Sequence, residues 1–143
     1  MTRVLVTGVF DILHDEHVKF LKKAKSLGGQ LIVGLESDAR VRNIKGEGRP
    51  VNLQAIRQKN LQALKISDQV IILPEKFDSP DDHLRFLQKI KPNILAVSSH
   101  TAHLEEKRQL MAEIGGIVVV AHHHNPKVST TLQLKNSMLR KFP

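Results

Sequence analysis

Residues 3–17 read RVLVTGVFDILHDEH. The pattern changes halfway along this stretch, and that change decides the fold. Val4, Leu5 and Val6 form an apolar run, which predicts a buried strand over Arg3–Thr7 closed by Gly8. From Glu16 to about Leu27, Phe20, Leu21, Ala24 and Leu27 fall at helical spacing, and Gly28-Gly29 ends the helix. A buried strand that passes through a short turn into an amphipathic helix is the opening half of a strand–helix–strand unit.

The alternation continues along the chain. Further strands are predicted at Gln30–Leu35, Gln69–Leu73, Asn93–Val97 and Ile117–Ala121. Helices are predicted over Leu53–Lys65 with Leu53, Ile56, Leu61 and Leu64 inward, from Ser79 to about Ile90, over His103–Ile114, and from Ser129 to about Arg140. Ser79-Pro80-Asp81-Asp82 supplies a Ser cap, a Pro at the first helical position and acids in the first turn. Glu36–Asn52 is polar and basic and contains Gly46, Gly48 and Pro50, which predicts a long loop with a helical turn at Ser37–Arg42. Nearly apolar strands separated by helices imply an α/β fold. The expectation is a single domain over 1–143, with a five-stranded parallel sheet covered by helices on both faces. In such sheets ligands bind at the carboxyl ends of the strands. That rule singles out Gly8–His17, Glu36–Asn52, Ser98–His103 and His122–Thr131.

Composition narrows the chemistry. The chain has 143 residues and no cysteine, which excludes disulfides, thiolate metal sites and a cysteine nucleophile. No apolar run approaches the roughly 18 residues of a membrane span, and the N-terminus has no secretory-signal pattern, so a cytoplasmic protein without membrane partners is expected. A formal net charge of +8 favours anionic partners such as nucleotides, sugar phosphates or nucleic acid. With five Phe and neither Trp nor Tyr, the chain lacks the stacking platform of a single-strand nucleic-acid binder. His122-His123-His124 cannot all face one metal from a strand, because neighbours alternate sides, and no dedicated metal site is expected.

Among the ligand-edge residues, His14 and His17 are one helical turn apart at the start of the first helix. Free backbone N–H groups and the helix dipole already favour an anion there. Two imidazoles would add donors for a triphosphate and for the charge that develops when its α-phosphorus is attacked. Lys45 and Arg49, on the glycine-bearing loop, would neutralise phosphate charge. Ser129 would cap the last helix. With Thr130 and the first amides it would form a second anion site.

Gly8-Val9-Phe10-Asp11-Ile12-Leu13-His14-Asp15-Glu16-His17 resembles the GxFDxxHxGH motif of the cytidylyltransferase-like nucleotidylyltransferases. That family includes glycerol-3-phosphate cytidylyltransferase, the heptose-phosphate adenylyltransferase domain and archaeal FAD synthases. The resemblance continues through Glu36-Ser37-Asp38, Lys45-Gly46 with Arg49-Pro50-Val51-Asn52, Arg57 with Ala63-Leu64-Lys65, and Val128-Ser129-Thr130-Thr131. It implies a Rossmann-like fold with His14, His17 and Lys45 in catalysis. Gly8, Val9, Phe10, Asp11, Ser129, Thr130 and Thr131 would then bind nucleotide, and Arg49 and Arg57 the substrate phosphate. His100, His124 and Lys127 are further candidates on the same edge. The implied reaction moves a nucleoside monophosphate from ATP or CTP, with Mg²⁺ on the triphosphate, to a phosphate-bearing acceptor. A sugar phosphate is favoured, with glycerol phosphate or FMN as alternatives, and a homodimer is expected.

The chain departs from the family pattern in several places. Glu16 stands where the family has Gly, Lys127 where it has Gly, and Ile56-Arg57 where Glu-Arg is usual. Ser98-Ser99-His100-Thr101 replaces a glycine- and aspartate-bearing stretch. A Glu16 carboxylate ~6 Å from phosphate would cost ~3 kcal/mol at an effective dielectric of 20, unless it turns to solvent. Two other readings therefore stand beside the enzyme: a non-catalytic nucleotide-binding protein of the same fold, and a basic nucleic-acid binder.

Overall fold

The structure is a computed structural model that describes residues 1–123. Strands β1 (Arg3–Gly8), β2 (Gln30–Leu35), β3 (Gln69–Ile72), β4 (Ile94–Ser98) and β5 (Ile117–His122) form one sheet in the order β3-β2-β1-β4-β5. Every pairing is parallel. The order reverses at β1, so the crevice at the carboxyl end of β1 is where this topology places a ligand.

Period-two alternation along β1 feeds two cores. Val4 and Val6 point to one face with Leu21 and Ala24 of α1 (Asp15–Ser26) and Leu61 of α3 (Gln54–Ala63). Leu5 points to the other, with Leu87 of α4 (Pro80–Ile90) and Met111 of α5 (Leu104–Glu113). The predicted start of α4 forms a full capping box. The Ser79 hydroxyl accepts from the Asp82 amide, and the Asp82 carboxylate accepts from the Ser79 amide. Against the opposing effect of desolvation, hydrogen bonds from Ser79 and from the Arg85 guanidinium hold the Asp82 carboxyl well below the usual carboxylate range. The helix predicted from Ser129 lies outside the described residues.

Two expectations are corrected. The segment expected to be mainly loop contains a full helix, α2 (Asp38–Lys45). Ser37 caps it by accepting from the Arg40 amide, and only Val41 of α2 is buried. A single inward residue leaves no periodicity to read. In α3, Leu53 and Ile56 do not face inward: they are 60% and 47% exposed. Leu53 is the N-cap, and Ile56 lies about 100° around the helix from the residue that does point inward, Arg57.

Arg57 was expected to bind substrate phosphate. Instead its side chain has no exposed surface, and four of its N–H groups are used inside the protein. Nε donates to the Asn52 carbonyl at 2.9 Å. Nη1 donates to the carbonyls of Val9 and Glu36, each at 2.9 Å. Nη2 meets Asp38 Oδ1 at 2.8 Å. The guanidinium thereby ties together the loop after β1, the loop after β2 and the segment before α3. Its role is to position the ligand edge.

Replacing Arg57 by Ala leaves a buried Asp38 contact and three carbonyls without their donor. We expect a loss of about 3–5 kcal/mol in urea unfolding, and Arg57→Lys to recover little of it because one ammonium cannot reproduce the planar fork. A loss below about 1 kcal/mol would show that water replaces the guanidinium without penalty.

Candidate active site

The turn after β1 is built around Phe10. Its φ is 49°, a left-handed conformation that is costly for a bulky side chain, and the residue is nonetheless buried. Its ring folds back over Gly8, where a Cβ would stand 2.9 Å from Phe10 Cε2, so the glycine is required by packing. The same ring meets His17 edge-on, with centroids 5.3 Å apart. His14 is the N-cap residue of α1, with extended backbone at φ −143° and ψ 176°. Its ring stacks on His17 at 3.9 Å and 21°. The structure thus brings the two histidines together at the helix N-terminus, with Phe10 as the wall behind them.

Asp11 is buried and organises the neighbouring loop. Oδ2 accepts from the Val51 amide and Oδ1 from the Asn52 amide, each at 2.8 Å. The Asn52 side-chain amide donates to the Asp11 carbonyl at 2.8 Å. Arg49 Nε meets Asp11 Oδ2 at 3.3 Å, while Arg49 Nη2 is buried with no hydrogen-bond partner among the described residues. Asp11 was expected among the nucleotide-binding residues. Its carboxylate instead anchors the Arg49–Asn52 segment and aligns the one guanidinium there that still has a free donor. Lys45, the last residue of α2, is exposed and is followed by Gly46 at φ 89°.

Glu16 takes neither of the two orientations expected of it. It is 7% exposed, and its Oε2 makes a short contact with His122 Nε2, which is also 7% exposed. A bulge delivers His122 to this place. Val97 pairs with Val120, but Ser98 pairs with His122, so β5 carries one extra residue. Plain alternation would turn His122 to the α5 face together with Val118. The bulge turns it to the α1 face, where Ala121 also packs. The carboxylate that replaces the motif glycine is therefore sequestered against an imidazole.

Two cavities open at the carboxyl edge, and Thr7 lines both. The first, about 270 Å³, is bordered by Gly8, Glu16, His17, Ser98, His100 and His122. The second, about 200 Å³, lies on the other side of Thr7. Its walls include Phe77, Phe86 and Leu110, and its polar rim includes Glu36 and Arg40. Glu36 Oε2 and Arg40 Nε are 3.8 Å apart, both buried, and neither has a hydrogen-bond partner among the described residues. Desolvation raises the Glu36 carboxyl above its ordinary value, partly offset by Arg40 and Arg57.

His100 reaches the first cavity as expected. His124, Lys127, Ser129, Thr130 and Thr131 lie outside the described residues. Sequence reasoning placed Glu36 and Arg40 within the Glu36–Asn52 segment of the ligand edge without giving either a role, and it did not single out Thr7 or the Glu16–His122 pairing. Thr7 stands at a strand end, where the topology rule could have found it. The His122 contact depends on a bulge that has no sequence marker. Among the described residues no helix is long and apolar enough to cross a membrane.

Comparison with known proteins agrees with this geometry. A family model described as cytidylyltransferase-like matches residues 5–136. The bifunctional protein HldE of Pelobacter propionicus is 39% identical over 130 residues, covering 90% of this chain and 26% of that protein. HldE of Campylobacter concisus is 48% identical over 92 residues, covering 64% of this chain and 18% of that protein. The chain thus spans about a quarter or less of the length of these curated relatives. Among solved structures, a lipopolysaccharide core biosynthesis protein from Thermoplasma volcanium is similar with a TM-score of 0.72 at 30% identity, covering 87% of this chain and 98% of that one. Pantothenate synthetase from Thermus thermophilus shares the fold, with a TM-score of 0.65 at 11% identity over 99% of this chain and 67% of that one.

Glu16→Gly removes the partner of a buried imidazole and adds the helix cost of glycine. Together these should lower stability by about 2–4 kcal/mol. In a double-mutant cycle with His122→Ala the two losses should couple by about 1–3 kcal/mol. Strictly additive losses would mean that the two side chains do not interact in solution.

Proposed function

This chain belongs to the cytidylyltransferase-like family, and from that premise we propose that it transfers a nucleoside monophosphate from ATP or CTP to a sugar phosphate, releasing pyrophosphate. The observation that carries the reading is the stacked His14–His17 pair at the N-terminus of α1, beside a cavity at the point where strand order reverses. Similarity to HldE proteins and to a lipopolysaccharide core biosynthesis protein supports a sugar-phosphate acceptor over glycerol phosphate or FMN.

The nucleotide occupies the His17 cavity and the acceptor the cavity beyond Thr7. A phosphate oxygen of the acceptor attacks the α-phosphorus. The bond from that phosphorus to the bridging β-oxygen breaks, and pyrophosphate leaves with the electron pair. No side-chain nucleophile is needed, so the protein contributes positioning and charge stabilisation. His14, His17 and the first amides of α1 stabilise the charge that builds on the α-phosphate oxygens. Arg49, aligned by Asp11, and the exposed Lys45 neutralise phosphate charge at the mouth. Among the described residues no group of three or more His, Asp or Glu side chains is placed to hold a metal ion. Mg²⁺ is expected on the triphosphate from the chemistry of the nucleotide. The alternative of nucleotide binding without turnover drew its force from Glu16 and from the altered Ser98–Thr101 stretch; the contact with His122 weakens the first ground and leaves the second.

The test is a pyrophosphate-release screen of ATP and CTP against glycerol 3-phosphate, FMN and aldose 1-phosphates. Release should require one acceptor, and His14→Ala and His17→Ala should each lower turnover by about 100-fold while the melting temperature hardly moves. Saturable nucleotide binding with no acceptor-dependent release would replace the enzyme with a binding protein.

A further inference from the structure

The second cavity carries a specificity that the family assignment does not supply. Glu36 Oε2 and Arg40 Nε face each other across 3.8 Å, too far for a direct hydrogen bond. Both atoms are buried and have no other partner among the described residues. Buried groups of this kind are ordinarily satisfied, so the pair needs something between them. An oxygen atom fits about 2.8 Å from each, which is normal hydrogen-bond length. The atom must accept from a guanidinium and donate to a carboxylate at once. A hydroxyl does both, as does the water it would displace, whereas a phosphate oxygen would only accept and would be repelled by Glu36. Phe77, Phe86 and Leu110 form an apolar part of the wall, while His83, His103 and Lys107 add polar groups to the lining. Such a wall suits the C–H face of a sugar ring. The cavity, about 200 Å³, is smaller than the roughly 300–1,000 Å³ of pockets for drug-sized ligands and is of a size with a small acceptor.

We infer that Glu36 and Arg40 form a hydroxyl clamp that reads one ring hydroxyl of a monosaccharide phosphate, and so select the acceptor. Thr7, which borders both cavities, then marks the end at which the acceptor's phosphate meets the nucleotide. The inference rests on the proposed transfer reaction, and it adds the part of the acceptor that is recognised and the residues that recognise it. Glu36 and Arg40 are specificity-determining here. They do not touch the reacting phosphorus.

The experiment measures kcat/KM by pyrophosphate release with glucose, mannose and heptose 1-phosphates. It then uses singly deoxygenated analogues of the best of these, in wild type, Glu36→Gln and Arg40→Met. One deoxy analogue should lose about 10- to 100-fold in wild type, the worth of a hydrogen bond to a charged group. In Glu36→Gln the parent sugar should fall by a similar factor while that analogue changes by less than about threefold, so the discrimination at that one hydroxyl collapses. Arg40→Met should show the same collapse, which separates loss of the clamp from a local effect of either substitution. Equal losses for parent and analogue would overturn the clamp. Turnover with FMN or glycerol 3-phosphate but with no sugar phosphate would overturn it too, while leaving the transfer reaction standing. No turnover with any phosphate acceptor would overturn both.

Discussion

The Arg57 guanidinium is buried at the carboxyl edge of the sheet and takes its partners from three separate segments: Val9 after β1, Glu36 after β2, and Asn52 before α3. A charge with no exposed surface is tolerable only when nearly all of its donors are used, and here they are used on the Asp38 carboxylate and on three backbone carbonyls that would otherwise be desolvated without partners. The consequence is geometric. The turn that carries Phe10 and Asp11, the residue that rims the second cavity, and the loop that carries Arg49 are held in one register. Asp11 repeats the device on a smaller scale by accepting from the Val51 and Asn52 amides. Two buried ionic residues thus fix loops that would otherwise move independently, which is the preorganisation a charge-stabilising site requires.

Hydrogen bonding follows the same logic across the sheet. A carboxylate at position 16 would oppose a bound polyphosphate. The fold answers it with a bulge in β5 that turns His122 onto the α1 face, where the two side chains meet out of solvent. The exchange of a motif glycine for glutamate is therefore coupled to a histidine 106 residues away. The two cavities on either side of Thr7 complete the arrangement. One is bordered by imidazoles and helix N–H groups suited to phosphate. The other combines apolar walls at Phe77, Phe86 and Leu110 with Glu36, Arg40 and Lys107.

Much of this was legible in the sequence. The apolar strand runs, the helix periodicity and the Ser79 cap specify the alternation, and the alternation specifies a parallel sheet whose ligand edge can be located before any coordinates are seen. His14 and His17 were legible because a turn of helix separates them. What was not legible depended on long-range geometry. Arg57 reads as a surface or phosphate-binding cation until the carbonyls that surround it are known, and its inward position displaces Ile56 to solvent. The α2 helix has Val41 as its only buried residue and so has no stripe to detect. The Glu16–His122 contact needs a bulge, and the Glu36–Arg40 pair needs the two side chains to be seen facing one cavity.

The central claim is that a phosphate oxygen attacks the α-phosphorus directly, held between the histidine cavity and the cavity beyond Thr7, with no covalent enzyme intermediate. The most direct measurement is the stereochemical course at that phosphorus, followed by ³¹P NMR with a nucleoside triphosphate made chiral at the α-position by oxygen isotopes. A single in-line displacement predicts inversion of configuration in the sugar product. Retention would require two displacements through a nucleotidylated side chain and would contradict the account.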